Sequence, residues 1–350
     1  MTEGVIPIDV ISQPRSAREV LAWSRGVVDP AMRAAVDTLP TSMRRVAGYH
    51  YGWWDADGTP RDGDAGKAIR PALAALCAEA VGGSIVDAVP AAVAVEMVHN
   101  FSLLHDDVMD RDVSRRHRPT AWTVFGISSA ILAGDALLTL AFDVLAGSGH
   151  ARAQDAMRMI SSAVQDLVEG QCEDVSFEER SDVDLSECLS MAGEKTGALL
   201  ACSTAIGALY GGGTAEQVEH MRVFGEHLGL AFQLVDDLLG IWGDPRVTGK
   251  SAHSDLVSRK KSLPVVAALT SGLPAADELA ALYGRQDELS EVELARAAEL
   301  VELAGGRSWA QREAVDQLDL ALAELAQGAP VARAAAELDT LARMVTRRDH

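Results

Sequence analysis

From Lys67 to the C-terminus one helical pattern of apolar residues follows another with short polar breaks, and no stretch sustains the apolar–polar alternation of a half-buried strand. This periodicity excludes sandwiches and barrels and predicts an all-α fold. The aliphatic, aromatic and cysteine residues make up 48% of the chain, enough for a sizeable core. Only 5% are aromatic, and alanine is abundant, which again favours helices over strands. The spacing predicts a helix from near Ser16, then helices over 30–47, 68–80, 87–109, 120–147, 151–176, 185–211, 215–241, 253–271, 274–304, 308–327 and 330–347. Residues 55–66 read as a polar Gly/Asp loop, 1–15 as a flexible N-terminal arm, and 16–350 as one domain.

Acidic side chains outnumber basic ones 51 to 31, for a net charge of −20. A surface of this sign repels a phosphate backbone, so no nucleic-acid partner is expected, and a small anionic substrate would need metal ions or clustered Lys/Arg. Cys77, Cys172, Cys188 and Cys202 are scattered and form no metal or redox pair, which fits a reducing cytoplasm. The N-terminus, with Glu3 and Asp9, does not read as a secretory signal. The longest uncharged stretch, 196–215, reads as a buried helix, so no membrane span is expected.

Two acidic clusters stand out. Asp106, Asp107 and Asp110 close the apolar run Val93–Leu104, and on a helix Asp106 and Asp110 lie one turn apart on one face. Asp236 and Asp237 sit inside the apolar run Leu228–Ile241, about 130 residues later (236 − 106). Like charges so placed on core-forming helices call for a cation, and an all-oxygen donor set suits Mg²⁺ held by carboxylates together with substrate phosphates. Basic residues accompany the clusters. Lys67 and Arg70 stand at a helix start, Arg115, Arg116 and Arg118 follow the first cluster, Lys195 precedes Thr196, and Lys250, Lys260 and Lys261 follow the second cluster.

In order along the chain stand GKAIRP, EMVHNFSLLHDDVMD, RRHRPTAW, AILAGDALL, EGQCED, GEKTGALL, AFQLVDDLLGIWGD and SDLVSRKKSLP. This series resembles the trans-isoprenyl diphosphate synthases, the polyprenyl synthetase family, most like the bacterial short-chain enzymes that make geranylgeranyl diphosphate. The resemblance runs from about Gly66 to Pro264 and continues more weakly beyond. It implies an all-helical fold around a deep cavity, usually a homodimer. By position, Asp106, Asp107, Asp110, Asp236 and Asp237 match the metal-binding aspartates. Arg115, Lys195, Lys250 and Lys260 match the cations on the allylic diphosphate. Gly66, Lys67, Arg70, His99 and Arg116 match the isopentenyl diphosphate site. Thr196 and Gln233 match polar groups near the reacting carbon, and Gln171 and Asp174 belong to a family element beside the first motif. Two departures are visible. Gly240 stands where the family's second motif usually has a third aspartate, which implies weakened support around one metal. Ala65 replaces a glycine, a minor change.

The implied chemistry is the Mg²⁺-dependent ionisation of an allylic diphosphate, attack by the isopentenyl double bond, and loss of a proton to the departing diphosphate. Phe232 is expected to line the apolar cavity. Two rivals remain. A class I terpene cyclase would share the aspartates but needs no second diphosphate site, and a non-catalytic subunit of a heteromeric synthase tends to lose them. For product length, Phe101 lies five residues before Asp106, a rise of about 7.5 Å along a helix. A ring there, with an uninserted aspartate motif and the small Ser102 beside it, resembles the arrangement of C20-producing enzymes. Farnesyl diphosphate is the runner-up.

Overall fold

The computed structural model describes residues 13–61, 66–244, 253–285 and 287–346, and Ala65 and Lys250 lie outside them. The elements in order are α1 (Ala17–Val36), α2 (Thr41–His50), α3 (Ile69–Ala80), α4 (Ile85–Met109), a hairpin of β1 (Ser114–Arg115) and β2 (Arg118–Pro119), α5 (Ala121–Phe125), α6 (Ile127–Gly147), α7 (Ala153–Glu179), α8 (Leu185–Ala192), a π-helical turn (Gly193–Gly197), α9 (Ala198–Tyr210), α10 (Ala215–Trp242), α11 (Ser254–Val257), α12 (Leu263–Leu269), α13 (Pro274–Tyr283), α14 (Glu291–Leu303), α15 (Gly306–Gln327) and α16 (Ala332–Thr346). The all-α expectation holds.

Local chemistry explains several boundaries. Ser16 caps α1 in a capping box with Glu19, and Thr214 caps α10 with Gln217 in the same way. The expected break near residue 30 does not occur. Pro30 lies inside α1 because the stripe Val20, Ser24, Val28, Met32 and Val36 is buried as one face, and that packing outweighs the lost hydrogen bond. The expected helix over 120–147 is cut at Gly126, whose φ of 86° is outside the helical region. The expected 185–211 helix contains the π turn, 253–271 divides into α11 and α12, and 274–304 divides into α13 and α14. The hairpin was not visible as a period-two pattern because each strand has two residues.

α9 is the inner helix, with every residue from Leu199 to Tyr210 buried. It packs against α3, α4, α7 and α10, while α4 also packs on α6 and α10 on α15. α9 forms the centre of the uncharged stretch, and the burial of Leu199–Tyr210 agrees with a core helix. By length and hydropathy alone α6 could cross a membrane, but it packs along α4 and contributes Leu137, Leu140, Ala141 and Leu145 to the core. Of the expected arm, residues 13–15 are described. Arg15 bonds Glu337 of α16 (Nη2–Oε2 2.6 Å) and Glu79 of α3 (3.0 Å), and lies 3.7 Å over the Trp23 ring.

Candidate active site

The first acidic cluster closes α4, with Asp110 exposed at the helix end, Asp106 half-buried and Asp107 buried. Asp107 is 1% exposed and pairs with Arg115 at 2.7 Å through Oδ1, while its Oδ2 is buried without a partner. Burial pushes both Asp106 and Asp107 up to about 6, against the pull of Lys195 on the first and Arg115 on the second. Asp110 is raised for the same reason.

Opposite stands a cationic pair. The Lys195 ammonium donates to Asp174 of α7, and Lys260 lies 3.7 Å from the same carboxylate. Burial alone would raise Asp174, but Lys260 and Lys195 hold it below the usual carboxylate range. Burial would lower Lys260, yet Asp174, Asp237, Asp255 and Asp110 around it push it well above the ordinary lysine value. Lys195 reaches this position from the π turn, a form common at functional sites. The approach requires Gly170, since a Cβ there would overlap the Lys195 backbone nitrogen.

The second cluster is built as a relay. Thr196 Oγ1 donates to Gln233 Oε1 (2.6 Å), Gln233 Nε2 donates to Asp237 Oδ1 (2.7 Å), and the Leu263 amide donates to Asp237 Oδ2 (2.9 Å). Both oxygens of Asp237 thus already accept bonds. Burial still pushes this carboxyl up to about 7. Asp236 is half-buried beside it. Gln171 is buried with neither amide atom bonded. Phe232 packs at the edge of the core cluster that holds Leu73, Leu200 and Leu338.

A basic pocket adjoins the first cluster. Arg116 and His117 turn the hairpin with φ of 52° and 58°, so two side-chain-bearing residues take a left-handed conformation that normally favours Gly or Asn. Gly66 lies beneath it at φ 92°, a conformation that favours glycine, and a Cβ there would meet the Arg116 guanidinium. Burial lowers Arg70 to about 10. His50 and His99 are held well below the ordinary histidine range, first by burial and then by the arginines: Arg116 and Arg115 act on His50, and Arg70, Arg116 and Arg115 on His99. Lys67 is exposed at the start of α3.

Sequence reasoning missed several members of this pocket. Asn100 Nδ2 donates to Glu96 Oε1 (3.0 Å), so its Oδ1 is the acceptor facing His50 Nε2 (3.1 Å). His50 therefore carries its proton on Nε2. Glu96 is 4% exposed and is the buried carboxylate among these cations. Arg118 serves the scaffold, bonding the carbonyls of Tyr49 (3.0 Å) and Trp54 (3.2 Å). Asp174, Asp110, Asp255 and Lys260 share the wall of a cavity of about 500 Å³.

The arrangement is thus an acidic wall, a lysine pair and a separate cationic pocket, all built of oxygen and nitrogen donors. The sequence pattern of the polyprenyl synthetases matches residues 63–301. The chain belongs to the polyprenyl synthetase family. This synthetase is 47% identical over 338 residues to the (2E,6E)-farnesyl diphosphate synthase of Mycobacterium tuberculosis, covering 95% of this chain and 94% of that protein. It is 43% identical over 347 residues to a geranylgeranyl diphosphate synthase of the same organism, covering 99% and 96%. The crystal structure of a polyprenyl synthetase from Streptomyces coelicolor superposes with a TM-score of 0.90 at 50% identity, covering 94% of this chain and 99% of that one. The synthetase is accordingly a short-chain trans-prenyl diphosphate synthase, a prenyltransferase.

Proposed function

We propose that the two cationic regions bind the two diphosphates of a head-to-tail condensation, the allylic one between the acidic wall and the Lys195–Lys260 pair, and isopentenyl diphosphate in the Arg70–Arg116 pocket. The observation that carries this reading is the 2.7 Å Asp107–Arg115 pair, which joins the acidic wall directly to the basic pocket. A terpene cyclase, which binds one diphosphate, has no use for the second pocket.

The residues suit magnesium. The donors are all carboxylate oxygens, and Asp107 Oδ2 is buried without a partner. Among the described residues no three Asp, Glu, His or Cys side chains converge as a complete metal site. Mg²⁺ ordinarily completes its shell with substrate phosphates and water. Asp106, Asp107, Asp110 and Asp236 would hold it, and when bound it supplies charge that lets the allylic C–O bond ionise. Asp237, with both oxygens engaged, positions Gln233 and through it Thr196.

This chain's own groups do the rest. Lys195 and Lys260, with Arg115 and the Lys250 that lies outside the described residues, neutralise the departing diphosphate. Arg70, Arg116, Lys67 and a neutral His99, acting as an N–H donor, hold isopentenyl diphosphate so that its double bond points at the allylic carbon. The Thr196 and Gln233 oxygen dipoles and the unpartnered Gln171 amide face the developing cation. The allylic C–O bond breaks first, the isopentenyl double bond then attacks the cation to form the new C–C bond, and the proton lost from the resulting carbocation leaves with the diphosphate.

We assign the C20 product, geranylgeranyl diphosphate. Phe101 is buried, with its ring 4.8 Å from that of His105, and the residue one turn before Asp106 on the same face is the small Ser102. A C15 product is the second reading, favoured by the 47% identity to a farnesyl diphosphate synthase. The partner is a second copy of the chain, seated on the exposed aliphatic side chains Val124, Ile127, Ile131 and Leu132 of α5 and α6. The four free cysteines suit a cytoplasmic location. The experiment is incubation of pure protein with Mg²⁺, isopentenyl diphosphate and allylic diphosphates of increasing length, followed by product identification. Consumption of one prenyl diphosphate to a cyclic hydrocarbon, with isopentenyl diphosphate untouched, would overturn the reading.

A further inference from the structure

On one face α9 gives Leu199, Cys202 and Ile206 to the core cluster that also holds Phe101 of α4. One residue earlier in each turn stand Ala198, Ala201 and Ala205, a stripe of small side chains on a neighbouring face of the helix. These alanines floor a cavity of about 610 Å³ between α7 and α10, walled by Met159, Leu189 and Leu230. Its size is that of a small-molecule site, which typically spans about 300–1,000 Å³. None of the residues assigned above to the two diphosphates lines it.

The charged groups at this cavity offer acceptors and few donors. Asp166, Glu194 and Glu226 line it, and Arg222 is the one lysine or arginine among the described lining residues. Arg222 is already engaged by Glu219 (2.8 Å) and Glu226 (2.8 Å). Glu194 Oε1 accepts only a long bond from the Ser190 hydroxyl (3.5 Å), and its Oε2 is buried without a partner. A buried carboxylate oxygen with no donor is costly, and an N–H group brought by a ligand would offset that cost. His227 and Gln317 line the same cavity. Gln317 Nε2 donates to Glu313 Oε1 (2.9 Å), so its Oε1 accepts from His227 Nδ1 (2.7 Å). In the neutral ring this leaves His227 Nε2 as a further acceptor.

We propose that this cavity binds a cationic amphiphile, a linear alkylammonium whose head donates to Glu194 Oε2 and whose chain lies along the alanine floor of α9. Charge selects the head: three carboxylates and one engaged arginine attract an ammonium and repel a carboxylate or a diphosphate. The cavity is therefore not a second prenyl diphosphate site. The alanines select the chain, because a larger side chain at Ala201 would take the space of its methylenes. Glu194 directly precedes Lys195 in the π turn, so the ammonium sits one residue from the cationic pair, yet its binding needs neither diphosphate region.

The test is calorimetric titration of the full chain with decylamine at pH 7, where an alkylamine is protonated as lysine is, kept below the concentration at which it forms micelles. Decanoate, of the same chain length and opposite charge, is titrated alongside. Decylammonium should bind saturably, and decanoate at least about tenfold more weakly. Glu194→Gln should raise the Kd for decylammonium about tenfold, the scale of one charge-assisted hydrogen bond. Ala201→Leu should raise it by a similar factor, because the added side chain fills the floor. Absence of saturable binding to the parent, or an equal Kd for the two probes, overturns the proposal. So does a parental Kd in either folded variant, which would place the ammonium elsewhere, for instance against the acidic wall of α4. Should one variant fail to fold, the other decides.

Discussion

Thr196 Oγ1 donates to Gln233 Oε1 at 2.6 Å, which orients the Gln233 amide so that its nitrogen reaches Asp237. One side chain therefore joins the π turn to the second acidic motif. Gln233→Ala would strand the Thr196 hydroxyl and one oxygen of the buried Asp237. The expected cost is about 1–3 kcal/mol of stability, with kcat lowered at least about tenfold. Denaturant unfolding and steady-state turnover on the same variant check it, and a variant with parental stability and kcat would show the relay is idle.

Removal of Asp107 should abolish most turnover. Its carboxylate is buried against Arg115 and has an unpartnered oxygen. Asp107→Ala is expected to lower kcat by about 10²-fold or more, the scale of one lost electrostatic stabiliser. The measurement is turnover at saturating Mg²⁺, where near-parental rates would remove Asp107 from the metal set.

The two members of the GKAIRP segment should behave unequally. Arg70 is deeply placed beside Glu96, whereas Lys67 is exposed and screened by solvent. Arg70→Ala should raise KM for isopentenyl diphosphate by about 10²-fold, and Lys67→Ala by about tenfold, with KM for the allylic substrate changing much less. Equal changes for both substrates in each variant would dissolve the assignment of two separate diphosphate sites.

Product length is tested at Phe101. Its ring sits about 140° around α4 from Asp106, against His105 and towards α6, so a floor made by it would be offset from the aspartate. Phe101→Ala opens space until Met97 or Val98, one turn lower, is reached. Chromatography of the products should show C25 or longer chains. An unchanged product from an active, folded variant would place the floor elsewhere.

A stability prediction concerns Glu337, far from the site. Burial alone would raise this carboxyl, but its bonds to Arg15 hold it below the usual value. A folded-state value depressed below the unfolded one contributes stability above the unfolded glutamate value of about 4.3, and that contribution fades as pH falls below it. Glu337→Gln should lose about 2–3 kcal/mol at pH 7, on the scale of a charged hydrogen bond to a buried partner. The gap in Tm between parent and variant should shrink between about pH 5 and pH 3. A gap constant with pH would show that the ion pair contributes nothing.

Much of the candidate site is legible in residue order. Asp106, Asp107, Lys195, Gln233 and Lys260 are separated by up to 154 positions (260 − 106), yet each belongs to a short motif whose spacing signals its chemistry. Their convergence in one region agrees with that reading. His50 carried no such signal, and Glu96 and Asn100, though inside the EMVHNFSLLHDDVMD segment, gave no sign of their partner, because a lone histidine before a loop pairs with Asn100 only after α2 and α4 have packed. Asp255 lies in a recognisable segment, but its place above Gly240 depends on two hydrogen bonds to the end of α10, from His253 to the Ile241 carbonyl and from Ser254 to the Gly240 carbonyl.

By itself the sequence determined the all-α class, because helical periodicity and the absence of period-two alternation are local properties of side-chain order. It also determined the family and the two aspartate motifs, whose residues lie within one or two helical turns of each other. Tertiary structure alone decided which helices continue through a proline, as α1 does through Pro30, where burial of one face outweighs a lost hydrogen bond. It alone opened the π turn that presents Lys195, since Gly170 of α7 must first approach that backbone. It also decided that the Asp255 carboxylate, from another element, lies over Gly240, which is settled only when the elements pack.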